Sequence, residues 1–200
     1  MQKLLVATTN RAKLAEIMVL VKGVPYDLAT LVEWPDVPAP EETGSTFAEN
    51  ARAKALYYAA RTGELTVAED SGLEIDALAG APGVASARWG GADTSYPDKF
   101  ALIYDALGAK GAAESHARFV CALALAAGDT ILFEACGIVE GRIAPEPRGH
   151  GGFGYDPIFF YPPLGQTLAE VGERKSAISH RGEAFLALRA FLRSVASNER

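Results

Sequence analysis

Between Arg118 and Ile143 the large apolar residues recur largely at every second position, and no other feature constrains the fold as strongly. Phe119, Cys121, Leu123 and Leu125 alternate with their neighbours, Gly128-Asp129 supplies a turn, and Ile131, Phe133 and Ala135 alternate again. Period-two spacing on both sides of a glycine turn predicts an antiparallel hairpin. The rest of the chain follows other rhythms. Leu4 to Ala7 is a short run of buried-strand type, and Leu14, Ile17, Met18 and Val21 then recur at helical spacing up to Gly23. Pro35, Pro38 and Pro40 mark a loop, and Thr46-x-x-Glu49 is a capping box opening a helix that Gly63 ends. Leu65 to Ala68 reads as a strand. Beyond the Pro82-Gly83 turn, Pro97 fits the first position of a helix with Phe100, Ile103 and Leu107 on one face. Ile158 to Tyr161 reads as another strand, and a C-terminal helix carries Phe185, Leu188, Leu192 and Val195. Strands and helices at both ends with a hairpin between them predict an α/β fold. The sheet is mixed and twisted with flanking helices, in a single domain over residues 1–200.

Composition narrows the partners. With 49% hydrophobic and 22% charged residues, the 200-residue chain is expected to fold on its own core. Nineteen basic against 25 acidic residues give a net charge of −6, which argues against bulk binding to nucleic acid or to an anionic membrane. No apolar run is long enough to span a bilayer, and the N-terminus lacks the plan of a signal peptide. Two cysteines, Cys121 and Cys136, make no disulfide framework and fit a reducing compartment. The expectation is a cytoplasmic protein.

Five segments carry polar chemistry. Thr8-Thr9-Asn10-Arg11-Ala12-Lys13 sits at a strand-to-helix junction, where backbone N–H groups and the helix dipole favour an anion. The same residues also read as an ordinary helix cap followed by a solvated lysine. Glu41-Glu42-Thr43-Gly44 precedes the capped helix, on which Thr46, Asn50 and Lys54 form a polar stripe. That stripe is either a wet face or the lining of a site. Glu69-Asp70-Ser71-Gly72 follows a strand, so two carboxylates arrive where α/β proteins bind ligands, and hard oxygens suit Mg²⁺ carried on phosphates. Asp-Ser-Gly is equally a turn. Gly149 to Pro157 matches G-x-G-x-x-G by letter, but prolines precede it and a strand follows it, so it is no dinucleotide fingerprint. What remains is a glycine loop presenting Phe153, Gly154, Tyr155 and Asp156, able to stack on a base or to plug a core. Finally, Lys175, His180 and Arg181 approach the last helix from its N-terminal side, against the dipole, which is easier to understand if they bind a negative ligand.

Taken in order, Thr8-Thr9-Asn10-x-x-Lys13, Glu41-Glu42-Thr43-Gly44, Glu69-Asp70-Ser71-Gly72, Gly80-x-Pro82-Gly83, Gly152-Phe153-Gly154-Tyr155-Asp156-Pro157 and Ser179-His180-Arg181 cover nearly the whole chain. This series resembles the noncanonical purine nucleoside triphosphate pyrophosphatases, the inosine triphosphatase-like enzymes. Bacterial members often have two aspartates where this chain has Glu69-Asp70. The resemblance implies an elongated two-lobed fold with a central cleft, a homodimer, and Mg²⁺-dependent hydrolysis of ITP, dITP and XTP to the monophosphate and pyrophosphate. It also implies roles. Thr8, Thr9, Asn10, Arg11, Ala12, Lys13 and Lys54 would hold phosphates, with Ser71 also in the substrate site. Glu42 and Asp70 would hold Mg²⁺, and Asp70 would activate water. Phe153 would stack on the purine within a loop that includes Gly154 and Tyr155, and Asp156 would meet the base edge or the sugar. Lys175, His180 and Arg181 would complete the pocket. Donors aimed at a 6-oxo group would be left unpaired by adenine, at roughly 1–3 kcal/mol each. His180, Arg181 and backbone N–H groups are the candidates. The rivals are a pyrophosphatase of related fold acting on other nucleotides and a nucleotide-binding regulator without turnover.

Overall fold

The computed structural model describes residues 1–112 and 114–198. Its strands are β1 (Lys3–Val6), β2 (Asp27–Thr30), β3 (Leu65–Ile75), β4 (His116–Ala127), β5 (Thr130–Ile143), β6 (Phe159–Tyr161) and β7 (Gln166–Thr167). The α-helices are α1 (Arg11–Leu20), α2 (Phe47–Thr62), α3 (Tyr96–Ala109), α4 (Lys175–Ile178) and α5 (His180–Asn198). The strands form one mixed sheet in the order β2-β1-β3-β4-β5-β6-β7. Parallel pairing of β1 with β2 and β3 gives way to antiparallel pairing of β5 with β6 and of β6 with β7. The fold is therefore the α/β mixed sheet expected.

The expected hairpin is β4-β5, and its alternation has two meanings. In β5 the even-numbered positions from Thr130 to Arg142 are exposed, Leu132 and Ile138 among them, so exposure tracks the sheet face. In β4, fourth of seven strands, Phe119 through Ala126 are all buried. There the alternation separates large Cys121, Leu123 and Leu125 from small Ala122, Ala124 and Ala126, as a strand buried on both faces allows.

Caps set the helix ends. Asn10 Oδ1 accepts from the Ala12 and Lys13 amides at the start of α1. Thr46 Oγ1 accepts from the Glu49 amide on α2, and Gly63 closes that helix at φ 72°, where a side chain would be strained. Ser95 caps α3, so Tyr96 takes the first helical position and Pro97 the second, not the first.

The strand from Leu65 is longer than expected. Instead of ending at Ala68 and turning, β3 runs on to Ile75, which places Glu69, Asp70 and Ser71 within a strand. Its neighbour β1 stops at Val6, paired with Val67, and Ala7 donates to the Val67 carbonyl at 2.9 Å. The carboxylates thus lie beyond the carboxyl end of a parallel neighbour instead of their own strand, and the turn reading of Asp70-Ser71-Gly72 is overturned. Gly72 serves packing: a Cβ there would overlap Ser86, whose hydroxyl accepts from the Leu73 amide at 2.9 Å.

The chain divides into two compact units. The first comprises Met1–Asp70, Cys121–Gly137 and His180–Arg200, and the second Ser71–Val120 and Ile138–Ser179. The first has a core of Leu4, Val6, Ile17, Leu65, Val67, Leu123, Phe185 and Leu188, among others. The second is built around Leu73, Ile75, Phe100, Ile103, Phe119, Tyr155, Ile158 and Phe159. No described helix is long and apolar enough to cross a membrane.

Candidate active site

In the first unit the adjacent residues Glu69 and Asp70 are both buried, and each recruits its own cations. Successive strand residues face opposite sides, so one dipeptide builds two clusters. Glu69 Oε1 lies 2.9 Å from Lys13 Nζ and 3.5 Å from Arg181 Nη2, while Cys121 Sγ donates to Oε2 at 3.4 Å. Arg181, 1% exposed, also donates to Glu16 Oε2 at 2.6 Å. Burial pushes the Glu69 carboxyl up, but Lys13 and Arg181 more than offset it and hold the group well below the usual carboxylate range. Burial and the Glu69 charge raise the Cys121 thiol well above its ordinary value, leaving it a neutral donor.

The second cluster centres on Lys54 of α2. Its Nζ lies 2.6 Å from Glu42 Oε1 and 3.4 Å from Asp70 Oδ1. Asn50, one turn earlier, donates to Asp70 Oδ2 at 2.9 Å and accepts from the Gly44 amide at 2.8 Å. A Cβ on Gly44 would strike Asn50, so this glycine lets the Glu41-Glu42-Thr43-Gly44 loop close on the helix. Burial pushes the Asp70 carboxyl above its ordinary value; Lys54 pulls it back and Glu42 raises it again. Burial lowers Lys54, but Asp70 and Glu42 more than restore it. A buried carboxylate with a raised pKa beside a fixed cation is equipped to accept a proton from water.

This cluster fits a divalent cation. Oxygens of Glu42 and Asp70 already converge on one ammonium, and Mg²⁺ takes one or two carboxylates and completes its shell with phosphate and water. Among the described residues no group of three or more His, Cys, Asp or Glu side chains is placed to hold an ion. Two carboxylates are the protein's share when phosphates carry the metal.

The Thr8 to Lys13 segment combines both of its readings. Asn10 is the helix cap and Thr8 Oγ1 accepts from its amide at 3.2 Å, whereas Lys13 is not a solvated residue but the partner of Glu69. Thr9 and Arg11 are exposed and Ala12 is half-buried. His180 and Arg181 open α5 and are buried. The negative groups that Arg181 meets against the helix dipole are the protein's own Glu69 and Glu16.

The second unit holds a separate constellation on the glycine loop. Asp156 Oδ2 accepts from Lys175 Nζ at 2.6 Å and from the Phe153 amide at 2.8 Å, and Lys175 Nζ lies 4.7 Å from the centre of the Phe153 ring. All three side chains are thereby fixed relative to one another. Gly152 (φ 69°) and Gly154 (φ 68°) take left-handed turns, and a Cβ on Gly152 would collide with the Asp156 carboxylate. Tyr155 is 3% exposed, belongs to the core, and donates its hydroxyl to the Ser86 carbonyl at 2.7 Å. Its side chain anchors the loop, which is the plug reading. Ser71 is half-buried at the start of this unit.

The sequence reading gives no role to Glu16, leaves Asn50 on a polar stripe, and offers Glu69 beside Asp70 as an oxygen ligand for Mg²⁺, whereas Glu69 faces Lys13 and Arg181. Asn50 was on the polar stripe with Lys54, one turn away, and Glu16 lies three residues from Lys13 on the same helix face. The pairing of Glu69 with Lys13 and Arg181 depends on contacts far apart in sequence, for which no local signal exists.

Comparison with known proteins agrees along the whole chain. The sequence model of the Ham1 family matches residues 4–191. The chain is 46% identical over 193 residues to a dITP/XTP pyrophosphatase from Exiguobacterium sibiricum, a match covering 95% of this chain and 96% of that protein. It is 48% identical over 185 residues to a dITP/XTP pyrophosphatase from Gloeobacter violaceus, covering 92% and 91%. Among solved structures, a HAM1 protein from Coxiella burnetii superposes with a TM-score of 0.91 at 41% identity, covering 97% of this chain and 100% of that one. On sequence and structure alike, the chain belongs to the Ham1 family.

Proposed function

We propose that this protein hydrolyses noncanonical purine nucleoside triphosphates, dITP, XTP and ITP, to the monophosphate and pyrophosphate, and so cleanses the nucleotide pool. The observation that carries the reading is Asp70: a buried carboxylate, raised in pKa, fixed by Asn50 and Lys54 beside Glu42. The names of relatives 46% and 48% identical support the substrate class.

Asp70 takes a proton from the attacking water at one of its carboxylate oxygens, while Asn50 keeps the group in orientation. Lys54 and Lys13 place positive charge against the polyphosphate, where it counts more as negative charge shifts onto the leaving pyrophosphate. Thr8, Thr9, Asn10, Arg11, Ala12 and Ser71 complete the phosphate contacts. Glu42 and Asp70 would hold Mg²⁺, which would supply further charge neutralisation on the substrate's phosphates. Phe153 stacks on the purine, with Gly154 and Tyr155 shaping its loop. Asp156 holds Phe153 and Lys175 in place and faces the base edge or sugar. Lys175, His180 and Arg181 supply donors for a 6-oxo base. The protein works in the cytoplasm as a homodimer, a state that analytical ultracentrifugation reads directly.

The test is a substrate panel of dITP, XTP, ITP, ATP and GTP with Mg²⁺, then with EDTA. Turnover of the first three, abolished by EDTA, is expected. Full turnover in EDTA, or equal rates on ATP and GTP, contradicts the proposal.

A further inference from the structure

One aromatic residue beside the glycine loop has no part in the account above. Tyr96 is the first residue of α3 and remains 36% exposed. Its mounting is stiff. Ser95 caps the helix, and Lys99, only 3% exposed, donates from Nζ to the Thr94 carbonyl at 2.8 Å while standing 5.0 Å from the centre of the Tyr96 ring. A buried lysine thus fixes both the entry to the helix and one face of the ring.

The ring in turn meets the loop. Tyr96 packs edge-on against Tyr155, with centroids 5.3 Å apart and planes at 86°, and tilts against Phe100 at 6.2 Å. Its Oη lies 3.6 Å, and its Cε1 and Cζ 3.7 Å, from the point a Cβ would occupy on Gly154. The ring thus stands alongside Gly154 with space for a methyl group between them, and its contact with the loop is the edge-on packing on Tyr155. Gly154 sits between Phe153 and Tyr155, at a left-handed φ that leaves the backbone few internal restraints. The loop is therefore held from inside by the Tyr155 hydroxyl on Ser86 and from its exposed side by Tyr96.

We propose that Tyr96 is a positioning residue: its ring braces Tyr155, and through it fixes the neighbouring Phe153 ring for the incoming base. The proposal rests on the reading of Phe153 as the base platform. On it, Tyr96 governs how tightly the nucleotide is held and leaves the chemistry at Asp70 untouched. The ring does the work, so the hydroxyl is dispensable.

The experiment compares wild type, Tyr96→Ala and Tyr96→Phe by amide hydrogen exchange over residues 150–156 and by steady-state kinetics on dITP. Tyr96→Ala is expected to speed exchange in the loop and to raise KM by about three- to tenfold, the scale of a lost aromatic edge contact. Its kcat should stay within about twofold, whereas general unfolding would lower kcat by removing active enzyme. Tyr96→Phe should restore both readouts. If Tyr96→Ala does not fold, Tyr96→Leu, which fills the space without the aromatic edge, replaces it with the same expectation. Unchanged exchange and KM in the truncated variant overturn the proposal, as does Tyr96→Phe behaving like Tyr96→Ala. A Phe153→Ala control separates the premises. If it leaves KM unchanged while Tyr96→Ala still loosens the loop, the base-platform reading falls and the bracing role stands.

Discussion

Asp70 and Glu69 are neighbours in sequence with opposite electrostatic fates, and each yields its own prediction. Asp70 is raised because burial and Glu42 outweigh the pull of Lys54 and Asn50. Asp70→Asn removes the proposed proton acceptor while nearly keeping the shape, so the rate should fall by roughly 10²–10⁴-fold. Without metal the variant should melt no lower than wild type, because the site disfavours the charge that is removed. Retention of more than about a tenth of the rate would take Asp70 out of catalysis. Glu69 runs the other way. Its folded pKa lies below the unfolded value, so its contribution to stability is complete above the ordinary glutamate pKa of about 4.3 and is lost as pH falls toward the folded value. Glu69→Gln should therefore be less stable than wild type at neutral pH, and the gap should narrow in acid. Denaturant titrations at several pH values read this directly, and a gap that widens in acid would refute the assignment. Lys13 and Arg181 face the Glu69 carboxylate from α1 and α5 and are the groups that hold it ionised.

At the scale of elements, α2 is the part that places chemistry. Thr46 caps it, and Asn50 and Lys54, one and two turns on, reach Asp70. Thr46→Ala should cost about 1 kcal/mol, read as a lower denaturation midpoint, with only a small loss of activity since Asn50 is anchored separately by Gly44. The glycine loop responds differently. Gly152→Ala puts a methyl into the Asp156 carboxylate at a left-handed φ, so it should raise KM for dITP while leaving folding mostly intact. An unchanged KM would show that the Asp156–Phe153 contact does not bear on binding. These elements were unequally legible in sequence. Caps and the hairpin turn depend on residues a few positions apart and are legible at Thr46, Gly63 and Gly128, whereas the sequence leaves the first cap open between Thr9 and Asn10 and sets Pro97 one position too early in its helix. The length of β3 is not legible, because Glu69-Asp70-Ser71-Gly72 has the composition of a turn. Only its neighbours and the Lys13, Arg181 and Lys54 counter-charges make it strand. The carboxylate partners of Arg181 and Lys175 leave no local signal for the same reason: Glu69, Glu16 and Asp156 are distant in sequence.

Over the whole molecule, the net charge of −6 conceals how the acid groups are used. Glu69, Asp70 and Asp156 are buried and matched to Lys13, Arg181, Lys54 and Lys175, so these carboxylates organise cations instead of repelling a polyanion at the surface. Buried pairs of this kind are costly to desolvate and stabilise no better than apolar packing of the same volume, although breaking one is destabilising, which makes their presence in both units easier to explain by function than by folding. The first unit carries the carboxylates and lysines suited to phosphate chemistry, and the second carries the aromatic loop suited to a base. The central claim is the proposed removal of pyrophosphate from a purine triphosphate whose base carries a 6-oxo group and lacks a 2-amino group. Product analysis of dITP hydrolysis with Mg²⁺, run beside dATP, tests it most directly. The account predicts dIMP and pyrophosphate in equal amounts, with dATP consumed at least about tenfold more slowly. Release of dIDP and inorganic phosphate, or equal consumption of dATP, would contradict it.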